Sequence, residues 1–259
     1  MFERLKKSFS SPAAAPMQTV VPDAVSKWAG AKGFAVTGLG EGYANGAANG
    51  HANANANGIA NGSGSESGSG SESTQGFVLT GTVGNKPWKL ERGRSTRDYI
   101  RGEELRARAE LALNNDVAVL IMNRPLKESL EKRAYEIYTD TLQTTADPSL
   151  PEEMRWLAMY PEAGWDSLPP EFWDRYSVLA EKPEQAIAWI DPHFAGLLMN
   201  WPEPGPDEQV PFILMILRGK AYLRMQYTPS DLATLEHAAN IFTYACESGL
   251  SGLMADILI

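Results

Sequence analysis

The segment RSTRDYIRGEELRARAELAL, beginning at Arg94, carries the residues best suited to gripping an anion. Arg97, Arg101, Glu104 and Arg108 are spaced four, three and four apart, which places them on one side of an α-helix, with Arg94 close by. Ser95 followed three residues later by Asp98 reads as the helix start. A guanidinium fork matches carboxylate and phosphate, so Arg94, Arg97, Arg101 and Arg108 form the candidate binding surface, with an acidic protein segment as its partner. Two other readings stand beside it. Glu104 can neutralise Arg101 and Arg108 on a solvated face, each pair worth a few tenths of a kcal/mol. Alternatively, the arginines dock on the chain's own acidic half. Gly102 weakens the helix by ~1 kcal/mol.

Other chemistry is sparse. DPHF sets Asp191 two residues before His193, short of the three or four ligands of a zinc site, so His193 reads as a histidine satisfied near a helix end. His237 stands beside Glu236 on the polar face of the last helix. There is no Walker loop, no strand–GxGxxG–helix, no GxSxG and no HExxH, so neither a cofactor nor a metal is expected. Carboxylates are plentiful, but a catalytic acid/base pair has to be chosen within a pocket, and sequence alone selects none. Cys246 is the sole cysteine; it forms no intrachain disulfide and lies in an apolar helical pattern as a buried thiol. Trp156, Tyr160, Trp165, Phe172, Trp173 and Tyr176 read first as core and second as a groove for a protein or small molecule.

These residues need a scaffold. GFAVTGLG and GFVLTGTVG, from Gly33 and Gly76, read as two neighbouring antiparallel strands. KPWKLERG is a third, with Trp88 and Leu90 on one face and Lys89 and Glu91 on the other. VAVLIM is a buried strand. Pro125 begins a helix whose stripe includes Leu126 and Leu130. Ser149 caps the next helix, and helical stretches follow around PPEFWDRYSVLA and KPEQAIAWIDPHFAGLLM. QVPFILMILRGKAYLRMQY is a hairpin turning at Arg218-Gly219. Thr228 caps the last helix, Pro229 takes N1, and Leu235, Ala239, Phe242 and Cys246 form its stripe up to Gly249. The order predicts an α+β fold: an antiparallel sheet of N-terminal strands, a central strand and a late hairpin, covered by helices.

Between the first two strands, residues 45–75 contain repeated Asn-Ala, Asn-Gly and Gly-Ser, too little apolar area to fold. They read as a disordered loop inside one domain over residues 33–259, after a partly disordered extension over residues 1–32. Closing so long a loop costs only ~1.7 kcal/mol more than a tight turn. The 259 residues carry a net charge of −9. Residues 85–133 hold twelve Lys/Arg against eight Asp/Glu, whereas residues 134–259 hold six against nineteen. The acidic balance argues against specific nucleic-acid binding. The basic and acidic parts are expected to face each other. No apolar run approaches a membrane span, so a cytoplasmic location is expected.

GNKPWKLERGRSTRDYIRGEELRARAEL, VLIMNRPLKESLEKRAYEIYTDTLQT and PEEMRWLAMYPE resemble a family of conserved, mainly proteobacterial proteins of unknown function. The resemblance implies a bacterial protein and supplies no activity or site residue. Two function classes follow: a non-enzymatic protein-interaction domain, or a domain or enzyme acting on a small ligand.

Overall fold

The structure, a computed structural model, describes residues 22–38, 76–140 and 152–254, with backbone alone for residues 137–140. The N-terminal turn and linker, the tract at 45–75 and the Ser149 cap lie outside the described residues.

Helix α1 (Asp23–Ala31) leads into β1 (Ala35–Gly38), β2 (Phe77–Val83), β3 (Lys86–Arg94) and β4 (Glu103–Glu110). Then come β5 (Ala118–Asn123), α2 (Arg124–Asp140), α3 (Glu152–Met159), β6 (Glu162–Ala163), α4 (Pro170–Arg175) and β7 (Tyr176–Ala180). Helices α5 (Pro183–Trp189) and α6 (Pro192–Met199), the hairpin β8 (Phe212–Leu217) and β9 (Lys220–Gln226), and α7 (Leu232–Gly252) complete the described chain. The strands form one nine-stranded sheet in the order β1-β2-β3-β4-β9-β8-β5-β7-β6. Every pairing is antiparallel. The fold is α+β, as the element order predicts, and the strands flanking the low-complexity tract are paired neighbours.

Period-two alternation sends Phe77, Trp88, Leu90, Leu105 and Leu223 to one face of the sheet. There they form a single core with Leu235, Phe242 and Cys246 of α7, Val25 of α1 and Trp189 of α5. On the opposite face Leu120, Met122, Ile213 and Met215 pack under Leu126 and Leu130 of α2 and Trp156 of α3. β5 is therefore buried on both sides, which explains its continuous apolar run. Towards β3, β4 and β9, the second face turns polar and half-open, with Glu91, Arg106 and Arg224.

Three expectations are corrected. The segment at 95–108 is not a helix. Leu105, Ala107 and Ala109 are buried and alternate with Glu104, Arg106 and Arg108, so the decisive period is two. Gly102, at φ 77°, makes the turn into β4. Ser95 Oγ donates to the Arg97 carbonyl at 2.6 Å and accepts the Arg97 N–H at 3.2 Å, closing a tight turn rather than capping a helix. Second, PPEFWDRYSVLA is helical only to Arg175; Tyr176–Ala180 is a strand buried on both faces. Third, Thr228 does not cap the last helix. Asp231 does, through a 2.7 Å bond from the Thr234 N–H, and the helix passes Gly249 to Gly252. A Cβ at Gly249 would lie 2.6 Å from Ile216 Cδ1, and one at Gly252 would lie 2.2 Å from the Ala188 carbonyl oxygen. These glycines are contact surfaces, not stops.

Candidate functional site

The strand register disperses the four arginines. Arg97 reaches α3, where its Nε donates to Glu153 at 2.5 Å. Glu153 is buried and also accepts from Tyr99 Oη at 3.0 Å. Burial, then the neighbouring Glu153 charge, drives the Tyr99 phenol far above its ordinary range. Arg97 thus docks on the chain's own acidic half. Arg108 pairs with Glu110 and lies over the Tyr222 ring, 5.9 Å from its centroid. Arg101 is exposed, and among the described residues only its backbone N–H is held, by Gln226 Oε1 at 2.9 Å. Arg94 is exposed at the end of β3.

The charge halves meet in part. Arg97–Glu153, Arg124–Glu162 and Lys127–Glu162 join them, but Arg92, Lys89, Arg106 and Arg108 pair within the basic half. The best-held cation, Arg92, was not singled out by spacing. It follows Trp88 and Leu90 onto the core face, where it forks onto Glu103 at 2.7–3.0 Å between the rings of Phe77 and Tyr227. That alternation was a readable signal.

His193 is exposed, its ring 4.8 Å from that of Tyr244. Asp191 is committed elsewhere: Oδ1 accepts the Phe194 N–H and Oδ2 accepts the Tyr244 hydroxyl, each at 2.7 Å. Among the described residues no three His, Cys, Asp or Glu side chains are grouped to hold a metal ion. The aromatic cluster divides between the two cores: Trp156 packs on one face, and Phe172 and Tyr176 on the other.

A roomy concavity lies elsewhere among the described residues. A cleft of about 560 Å³ runs between α1 and α7, lined by Trp28, Lys32 and Phe34 on one side and by Glu236, His237, Asn240 and Thr243 on the other, with Pro202 at its edge. The α1 wall is built by burial. Val25 and Ala29 anchor the helix in the core. Phe34 then bridges Trp28 and Trp88 edge to face, at 5.7 and 4.8 Å. The α7 wall is the face opposite the buried stripe; Glu236, Asn240 and Thr243 recur at helical spacing.

His237 stands at the centre of that wall, 4.8 Å from the Trp201 ring. Its Nε2 lies 2.8 Å from the Leu197 carbonyl. A carbonyl only accepts, so Nε2 carries the proton and Nδ1 is the acceptor. Burial lowers the His237 pKa, and the bond to Leu197 opposes it in part. The imidazole is neutral at pH 7. Lys32 and Glu236 form no ion pair among the described residues, so the cleft offers one free charge of each sign.

The lowered pKa has a stability consequence. The folded protein resists the proton that the unfolded chain accepts near pH 6.5. Stability from this group is full above that value and is lost as pH falls through the folded pKa. Urea unfolding between pH 8 and pH 5 is expected to show this loss in the wild type and a smaller one in His237→Gln. Identical pH profiles would contradict the assignment.

Comparison with protein-family models, with curated proteins and with solved structures finds no match. Among the described residues no helix is long and apolar enough to cross a membrane.

Proposed function

We propose that the protein is a non-catalytic binding domain that holds a small zwitterion with a planar aromatic body in the α1–α7 cleft. The supporting observation is the cleft itself, whose volume of about 560 Å³ falls in the range of small-ligand sites. Trp28 and Phe34 offer faces and edges against which a ring packs. Lys32 and Glu236 match a carboxylate and an ammonium group. Neutral His237 adds polarity without charge. Aromatic amino acids have this chemistry.

Binding rather than turnover is favoured by how the polar groups are engaged. Thr243 Oγ is bonded back to the Ala239 and Asn240 carbonyls at 3.0 and 3.1 Å, and His237 Nε2 is bonded to Leu197, so among the described residues no hydrogen-bonded nucleophile–base pair is formed in the cleft. The protein-interaction class draws on the arginine face, the acidic half and the aromatic cluster; Arg97 and Arg108 are paired within the fold and Phe172 and Tyr176 are buried, while Arg94 and Arg101 stay exposed. A cytoplasmic setting suits a free metabolite ligand.

Calorimetric titration with L-phenylalanine and L-tryptophan is expected to show saturable binding. Trp28→Leu and Glu236→Gln are each expected to weaken it by roughly tenfold, about 1.4 kcal/mol. Equal affinity in the wild type and both variants would rule the reading out.

A further inference from the structure

We infer that the opposite face of the sheet carries a second, independent site, for a small carboxylate with a short apolar body. A pocket of about 170 Å³ opens between α3 and the β8–β9 hairpin. Its floor is apolar, formed by Ile213, Met215 and Leu217, and three arginines, Arg97, Arg218 and Arg224, line it. Trp156 and Tyr222 supply further wall.

Two of the guanidiniums are held by one edge. Arg97 gives Nε to Glu153 and Nη1 to the Thr96 carbonyl at 3.4 Å. Its Nη2 has no acceptor among the described residues. Arg224 gives Nη1 to Thr96 Oγ1 at 3.0 Å, with Glu104 Oε1 3.3 Å away, and its Nη2 is likewise uncommitted. Both cations are therefore fixed in orientation while keeping N–H groups to offer. Arg218 makes neither a hydrogen bond nor an ion pair among the described residues.

Arg218 is also conformationally unusual. It takes φ 52° beside Gly219 at φ 73°, in the tight turn of the hairpin. Two positive φ values in a two-residue turn favour Asn-Gly, and a long side chain is strained in the first position. The strained residue is the one whose guanidinium is unpaired among the described residues and which lines the pocket. Guanidinium forks pair bidentately with carboxylates, and the apolar floor fits a short hydrocarbon body better than a fully hydrated oxyanion. Of the lining carboxylates, Glu153 is satisfied by Arg97 and Tyr99, and Glu152 is half-buried with no hydrogen bond among the described residues. Glu152 opposes an anion and lowers its affinity.

Titration of the full chain with benzoate, methyl benzoate and inorganic phosphate tests the site. Benzoate is expected to bind saturably at millimolar concentration, methyl benzoate not at all, and phosphate more weakly. Arg218→Asn is expected to weaken benzoate at least tenfold. Asn tolerates the left-handed turn, so the melting temperature of this variant without ligand should be unchanged or higher. Glu152→Gln should tighten benzoate. Trp28→Leu, which removes the ring-packing wall of the cleft, should bind benzoate like the wild type, which keeps the two sites distinguishable. Absent benzoate binding, unchanged affinity in Arg218→Asn, preference for phosphate, or loss in Trp28→Leu would each overturn the assignment.

Discussion

Glu103→Ala is expected to destabilise the protein by about 3–5 kcal/mol, and Arg92→Met by only about 1–2 kcal/mol. The asymmetry follows from which charge is left behind. The Arg92 side chain is 8% exposed and that of Glu103 27% exposed. Removing Glu103 strands a guanidinium between Phe77 and Tyr227, with Ser230 Oγ at 3.4 Å as its remaining side-chain acceptor. Removing Arg92 leaves a carboxylate that water reaches and that keeps the Ser230 hydroxyl at 3.0 Å. Methionine also preserves much of the packing against both rings. Urea unfolding of the two single variants decides the matter, and a larger loss in Arg92→Met would contradict the description of this pair.

Trp189→Ala is the second large effect, at about 3–5 kcal/mol. Trp189 is fully buried, and its indole Nε1 donates to the Ala245 carbonyl at 2.9 Å. Its own carbonyl accepts from Ser248 Oγ at 2.6 Å. The ring packs edge to face on Phe194 of α6 at 5.5 Å. One side chain therefore joins α5, α6 and α7, where Gly252 already presses on Ala188. Alanine would leave a cavity among three helices that rigid glycine contacts keep from closing. Trp189→Phe retains most of the volume and loses the hydrogen bond, so it is expected to cost less. A loss below about 1.5 kcal/mol in Trp189→Ala would mean that this corner repacks freely.

Local patterns carried much of the fold. The hairpin at Phe212–Gln226 was legible because its apolar run, its Arg218-Gly219 turn and its returning alternation are contiguous. The α7 stripe and the Trp88/Leu90 face of β3 were legible for the same reason. β4 was not, because its residues satisfy two periods at once. Arg97, Arg101, Glu104 and Arg108 fit a helix, while Glu104–Glu110 alternates as a strand. Pairing with β3 and β9, remote in sequence, decides between them. β7 lacked a signal because it is buried on both faces and follows a helix directly. Gly249 resembled a helix stop because its reason for being glycine is Ile216, on another element.

The site was less legible than the fold. Arg97 was singled out, but its partner Glu153 lies 56 residues away. The cleft joins Trp28–Phe34 to Glu236–Thr243, segments that only the packing of α1 against α7 brings together. The polar row at 236, 240 and 243 was readable as one helix face. What it faces was not.

The cleft assignment is tested most directly by amide chemical-shift mapping of the ¹⁵N-labelled protein during titration with L-phenylalanine. Saturable shifts are expected over Trp28–Phe34 and Ala233–Thr243, with the arginine pocket around Arg218 and Arg224 unperturbed. No saturable shifts, or shifts confined to residues outside α1, Phe34 and α7, would contradict it.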